Sequence, residues 1–242
     1  MTDAAPHPHT AAEGRRGFFI SFEGTEGSGK TTQMRLLVER LRKLGFVVTE
    51  NQEPGATTIG TQIRRILLDP AHQEMAPMTE LLLMFASRAQ AAAEIVLPAL
   101  KRGEIVVSDR FTDSTLAYQG EARGLGFDVV LEAHRLALGD LLPDLTICVT
   151  IDIESGLARA HRRNQASAKE ASEARLDQQS LEFHKRVGEG YRKIAAHDAR
   201  RFQMIAGDGS PADVAERVWA AVSPLIPATF AKLTALAKLE TA

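Results

Sequence analysis

The chain has 242 residues, with 29 Lys and Arg against 31 Asp and Glu and a formal net charge of −2. That length supports a full hydrophobic core, and the balanced charge excludes a general nucleic-acid binder, whose basic excess would be visible. Cys148 is the single cysteine, which excludes a disulfide framework or a Cys-rich metal site; with no apolar run of signal-peptide or membrane-span length, the chain reads as a soluble protein of a reducing cytoplasm.

Residues 1–16 are polar and broken by Pro6 and Pro8, so they are expected to form a disordered tail in which His7 and His9 are solvated rather than metal ligands. An apolar run from Gly17 to Glu23 predicts the first strand. Directly after it comes Gly24-Thr25-Glu26-Gly27-Ser28-Gly29-Lys30-Thr31-Thr32, a G-x-x-x-x-G-K-T phosphate loop between a strand and an amphipathic helix. Glycines let successive backbone N–H groups converge on one anion, and the positive end of the helix dipole adds to the same point. Lys30 would reach the β- and γ-phosphates of ATP, and the Thr31 hydroxyl would ligate Mg²⁺.

Leu36, Leu37, Leu41 and Leu44 recur at helical spacing up to Gly45, and Phe46–Glu50 reads as a second strand. Glu53-Pro54-Gly55 turns the chain into a short helix marked by Ile59, Ile63, Ile66 and Leu67, which ends before Pro70. A long helix from about Met78 carries Leu81, Leu82, Phe85, Ala89 and Ala92. Ile105-Val106-Val107-Ser108-Asp109 has the shape of a buried parallel strand with a carboxylate at its tip. Helical pattern returns at Ser114–Tyr118 and Val129–Leu138, before a strand at Leu145–Ile151 in which Cys148 is a core residue. Arg159, His161, Arg162 and Arg163 lead into a polar, alanine-rich stretch from Asn164 to Ala174 without apolar periodicity, read as mobile. A helix with Phe183, Val187, Tyr191 and Ile194, a strand Phe202–Ile205 and a helix with Val214, Val218 and Val222 complete the pattern. Strands alternating with helices predict an α/β fold with a mainly parallel sheet covered on both faces, its ligands at the carboxyl ends of the strands.

Several enzyme classes share a phosphate loop. The guanine-reading N-K-x-D and the switch D-x-x-G of GTPases do not occur, and a transporter-type ATPase needs a longer chain. Small-substrate kinases remain. They must close over a second anionic substrate to keep water out, and the arginine-bearing segment from Arg159 to Arg175 suits such a lid.

Taken together, Phe22–Thr32, Glu53-Pro54-Gly55, Asp109–Gly120, Pro143–Thr146 and Arg175-Leu176-Asp177 resemble the bacterial thymidylate kinases, from about Gly17 to Val222. The resemblance implies a three-layer P-loop kinase fold with a five-stranded sheet, a kinase domain over 17–225 with a mobile lid at about 159–177, and a helical tail over 226–242. It implies transfer of the ATP γ-phosphate to dTMP with Mg²⁺, in a homodimer. Lys30, Asp109 and Arg110, with Arg159, Arg163 and Arg175 of the lid, would form the catalytic set; Thr31 and Asp109 would hold the metal. Glu53, Arg64, Phe85, Arg88, Arg110, Ser114, Thr115 and Gln119 would bind dTMP, Arg64 taking its phosphate. Gln52 and Ala56 stand where the family commonly has arginine and glycine, and Met84 stands at the position of the base-stacking phenylalanine, so Phe85, one step later, is expected over the base. A kinase for another monophosphate such as dUMP or dCMP, or an ATP-binding regulator, is the alternative.

Overall fold

The computed structural model describes residues 17–167 and 172–226. The tail expected over 1–16, nearly all of the tail expected over 226–242, and residues 168–171 of the expected lid lie outside the described residues. Five strands, β1 (Phe18–Gly24), β2 (Val48–Gln52), β3 (Ile105–Asp109), β4 (Leu145–Thr150) and β5 (Phe202–Ala206), form one sheet in the order β2-β3-β1-β4-β5. All four pairings are parallel, so the central strands carry near-continuous apolar runs.

Side chains alternate across β1 and sort the two layers. Phe18, Ile20 and Phe22 face α1 (Lys30–Lys43) and the last described helix, α9 (Pro211–Val222), meeting Met34, Leu37, Leu41, Val214 and Val218. Phe19 faces the other layer, edge-on to Phe111 at 4.9 Å between ring centroids; Glu23 faces the same way.

That second layer holds α2 (Thr58–Leu68), α3 (Pro77–Ala91), α4 (Leu97–Lys101), α5 (Thr112–Thr115), α6 (Phe127–Leu138), α7 (Ile153–Ala166) and α8 (Leu181–His197). A π turn at Ala92–Val96 joins α3 to α4, and another at Leu116–Ala122 extends α5. Pro98 sits in the first turn of α4, where the widened turn tolerates its missing N–H. The continuous stretch Pro77–Lys101 is long and apolar enough to cross a membrane by length and composition. Its Glu80 and Arg88 are buried and ion-paired to neighbouring elements, as befits a core helix.

Two expectations shift. The second strand begins at Val48 rather than Phe46: the Phe46 N–H closes onto Leu41 O after the Gly45 turn, and pairing with β3 starts at Val48 and Ile105. The stretch from Asn164 is helical through Ala166. It continues a helix whose buried residues, Gly156 and Ala160, are small, so no apolar stripe runs into it.

Candidate active site

The phosphate loop runs from the tip of β1 into α1. Gly24, Gly27 and Gly29 have φ of 147°, 66° and 89°, conformations that strain a side-chain-bearing residue. At Gly27 a Cβ would also stand 2.0 Å from the Gly156 carbonyl oxygen, so the loop lies directly against α7. Lys30 Nζ donates to Asp109 Oδ1, and Thr31 Oγ1 donates to Oδ2 at 2.9 Å. Burial pushes the Asp109 carboxyl up, but Lys30, Arg110 and Thr31 hold it below the usual carboxylate range. Hydroxyl and carboxylate oxygens side by side suit a hard cation. Among the described residues no group of three or more His, Cys, Asp or Glu could hold a metal, so the donor set fits Mg²⁺, which keeps water and phosphate ligands, better than an ion caged by protein alone.

Beside the loop opens a cleft into which Glu26, Arg64, Arg88 and Arg110 converge. Arg88 lies at its base: Nε donates to Glu53 Oε2 at 2.5 Å, and its two terminal nitrogens to Thr115 Oγ1 at 2.9 Å and Phe111 O at 3.2 Å. Both members of the Arg88–Glu53 pair are only 2% exposed. Gln119 donates its amide N–H to Glu80 at 2.7 Å, which turns the opposite, carbonyl, edge of the amide away from Glu80. Arg64 reaches the cleft from α2, donating to Pro54 O at 2.7 Å and to Glu173 Oε2 at 2.8 and 3.1 Å. From α7, Arg163 donates to Asp177 at 3.1 Å. Burial and the nearby Glu26 carboxylate push Asp177 up to about 6.

Where loop and cleft meet stands Arg110, the one non-glycine residue with positive φ, 73°, among the described residues. Its guanidinium donates to Glu26 at 3.2 Å, to Ser114 at 2.9 Å and to the hydroxyls of Tyr118 and Tyr191. Burial raises Glu26, but Arg110, the Tyr118 hydroxyl and Lys30 outweigh it and hold this carboxyl low.

A thymidylate kinase family model matches residues 22–218. The chain is 46% identical over 206 residues to a thymidylate kinase of Pelobacter propionicus, covering 85% of this chain and 94% of that one, and 49% identical over 193 residues to one of Geobacter sp., covering 80% and 85%. The crystal structure of thymidylate kinase from Ehrlichia chaffeensis superposes with a TM-score of 0.70 at 29% identity, covering 87% of this chain and 99% of that one. The chain belongs to the thymidylate kinase family.

As such it is an ATP-dependent phosphotransferase, and the site residues expected of it can be placed one by one. Glu53, Arg64, Arg88, Arg110, Ser114, Thr115 and Gln119 all line the cleft. Phe85 does not. It is buried with Leu81 and Val130, edge-on to His134 at 6.3 Å, and Arg88 lies over its ring at 5.0 Å. Met84 lines the cleft instead. Helix geometry accounts for this: four residues put Met84 about 40° from Arg88, whereas three put Phe85 about 60° away on the other side.

Arg175 is the second correction. Its side chain is 1% exposed, its guanidinium donating to Leu67 O and to Glu80 Oε2 at 2.7 Å, so it ties the segment before α8 to α2 and α3 rather than lining the cleft. Arg163 does reach the cleft, and Arg159 is exposed on α7. Glu26, expected among the ATP-binding loop residues, lines the cleft, and Tyr118 donates to its carboxylate at 2.7 Å. Tyr118 and Asp177 line the cleft and were not expected there, although both lie in the motif blocks that carried the resemblance.

Proposed function

We propose that the protein transfers the γ-phosphate of ATP to the 5′-phosphate of dTMP, yielding dTDP, with Lys30, Asp109, Arg110 and the lid arginines Arg159 and Arg163 as the catalytic set. The observation that carries this assignment is Arg110, poised where the phosphate loop and the acceptor cleft adjoin. Two phosphate chains repel as they approach, and a fixed guanidinium between them offsets that repulsion without reorganising during the reaction. The loop N–H groups from Gly24 to Thr32 and the Lys30 ammonium would hold the ATP phosphates. Thr31 and Asp109 would hold Mg²⁺, which supplies charge neutralisation at the donor phosphates.

In the acceptor cleft, Arg64 takes the dTMP phosphate, which implies that Glu173 gives way to it. Pyrimidine bases such as thymine present one N–H donor between two carbonyl acceptors, and the carbonyl edge of Gln119 complements that donor. Glu53, Thr115 and Phe111 O fix Arg88 beside it, Ser114 and Glu26 lie toward Arg110, and Met84 lies against the base. Arg163 and Asn164 both donate to Asp177 Oδ2, at 3.1 and 2.9 Å, a contact that the proposed mobile lid at 159–177 would make on closing and break on opening. The proposed kinase domain spans 17–225. A homodimer is supported by apolar side chains left exposed on three neighbouring helices, Ile59 and Ile66 on α2, Met78 and Leu82 on α3, Leu131 and Leu136 on α6. The proposed partners are thus ATP, dTMP and a second copy, without a nucleic-acid polymer or a membrane, in the cytoplasm. A coupled ADP-release assay with ATP, Mg²⁺ and each nucleoside monophosphate in turn tests the reading. dTMP is expected to be turned over fastest. Slow ATP hydrolysis alone with every monophosphate, or faster turnover of dUMP or dCMP, defeats the assignment.

A further inference from the structure

Glu23 is a fully buried carboxylate one residue before the phosphate loop, and none of the roles assigned above uses it. Three donors from two other elements converge on it. Phe111 N–H donates to Oε1 at 2.8 Å, while the hydroxyls of Ser114 and Tyr191 donate to Oε2, Tyr191 at 3.3 Å. The same two hydroxyl oxygens accept from one terminal nitrogen of Arg110, at 2.9 and 3.3 Å. Each hydroxyl has a single proton. Giving that proton to Glu23 leaves only lone pairs facing the guanidinium.

The backbone of Arg110 depends on the same carboxylate. Its left-handed φ of 73° is held by Arg110 N–H to Phe22 O at 2.9 Å, by Ser108 Oγ to Arg110 O at 2.6 Å, and by Phe111 N–H to Glu23 immediately after it. A non-glycine residue in that region costs of order 1–3 kcal/mol unless its surroundings hold it there. We propose that Glu23 is a positioning residue for phosphoryl transfer: its ionised carboxylate fixes the backbone after Arg110 and orients two hydroxyls so that both accept from the Arg110 guanidinium.

A protonated Glu23 reverses the arrangement. It donates to one of the hydroxyls, whose proton then turns either toward Arg110, donor against donor, or toward the oxygen of the other hydroxyl 3.1 Å away, where it competes with Arg110 for a lone pair. The groups facing Glu23 are Asp113 and Ser114 on α5, Arg110 before it, Tyr191 on α8 and Cys148 on β4. Burial first and Asp113 second push Glu23 up to about 7, against Ser114, Arg110 and the Phe111 N–H. Turnover should therefore fall as pH drops through about 7. Stability runs the other way. A carboxyl raised from 4.5 to about 7 in the folded state contributes stability fully present below 4.5 and lost as pH rises through 7.

The inference rests on the dTMP kinase reading for its kinetic part alone. Glu23→Gln keeps size and removes the charge; kcat should drop roughly 10–100-fold from misplacement of one catalytic group, with KM for ATP little changed. The acid limb near pH 7 should vanish from the kcat profile, leaving any limb near 6 from Asp177. Turnover within about twofold of the parent, with the limb near 7 retained, overturns the proposal. Tyr191→Phe is the second variant, in case Glu23→Gln does not fold: with one donor to the carboxylate gone, the limb should move to higher pH, and an unmoved limb counts against the role. Independently of any substrate, the Arg110 Nε–H resonance of the free protein should shift between pH 8 and 6 in the parent and stay fixed in Glu23→Gln. An Arg110 signal that titrates alike in both also overturns it, whether or not dTMP is the acceptor.

Discussion

The phosphate loop presents its N–H groups and its ammonium from one short run of chain, Gly24 to Thr32. The acceptor cleft gathers Arg88 from α3, Glu53 from the turn after β2, Thr115 and Gln119 from α5 and its π turn, and Arg163 from α7. Different physics holds the two together. Backbone N–H groups bind an anion without burying a charge beforehand, so the donor half needs only glycine torsions and a helix end. The acceptor half is built on carboxylates and guanidiniums withdrawn from water, Arg88–Glu53 and Arg175–Glu80 above all. Such a pair contributes little net stability, yet leaving one member unpaired costs about 3–5 kcal/mol. Damage on the donor side should therefore appear in turnover, and damage behind the acceptor side in stability.

The largest expected effect is on the donor side. Lys30→Ala should reduce kcat by about a thousandfold or more, because the loop has no second side-chain charge to place on the β- and γ-phosphates. The fold should survive, since Lys30 is partly exposed and its pair with Asp109 lies at the strand tip rather than in the core. Steady-state kinetics with circular dichroism decide this; near-normal turnover in a folded variant would break the comparison at its stronger end.

Behind the acceptor cleft, Glu80 is the sharper probe. Its side chain is fully buried and receives Gln119, Arg123 and Arg175. Burial alone would raise its carboxyl, but these donors hold it below its ordinary value. Glu80→Ala leaves the fully buried Arg175 without its carboxylate, a loss of about 3–5 kcal/mol. At roughly 2–4 °C per kcal/mol for a chain of this size, Tm should fall by about 6–20 °C. A calorimetric Tm within a few degrees of the parent would mean that the acceptor side is not held by its buried charges.

The same contrast governs what was legible in the sequence. Glycine torsions, a helix start and an adjacent lysine are local properties, so the loop, Lys30 and Thr31 fall where their spacing puts them. β3 and its Asp109 tip were equally readable as a short apolar run ending in an acid. The sheet order, by contrast, depends on pairings far apart in sequence and has no local signature. Arg175 shows the difficulty: an arginine in a polar segment reads the same whether it faces a phosphate or Glu80, and only the fold brings Glu80 to it. Glu23 was read as the end of a strand. Its alternation with Phe22 already places it on the opposite face from α1, but nothing local announces the hydroxyls of Ser114 and Tyr191.

The smallest and most specific effect concerns neighbouring residues on α3. Met84 lines the acceptor cleft, whereas Phe85 is 4% exposed and supports Arg88 from beneath. Phe85→Ala should open a cavity costing about 3–5 kcal/mol and lower Tm in proportion. Any change in KM for dTMP would come through Arg88, which keeps its bonds to Glu53, Thr115 and Phe111 O and should hold that change small. Met84→Ala should do the reverse. A thioether touching one face of a base loses about 1–2 kcal/mol of contact when truncated, which raises KM for dTMP roughly 5–30-fold while kcat is kept, the pattern of lost uniform binding. Its Tm should fall less than that of Phe85→Ala, because an Ala at the cleft wall leaves a gap that water can enter rather than a sealed void. If the two variants exchange these phenotypes, with Phe85→Ala losing dTMP and Met84→Ala losing stability, α3 is turned about its axis from the orientation described, and Arg88, on the same helix, would have to turn with it.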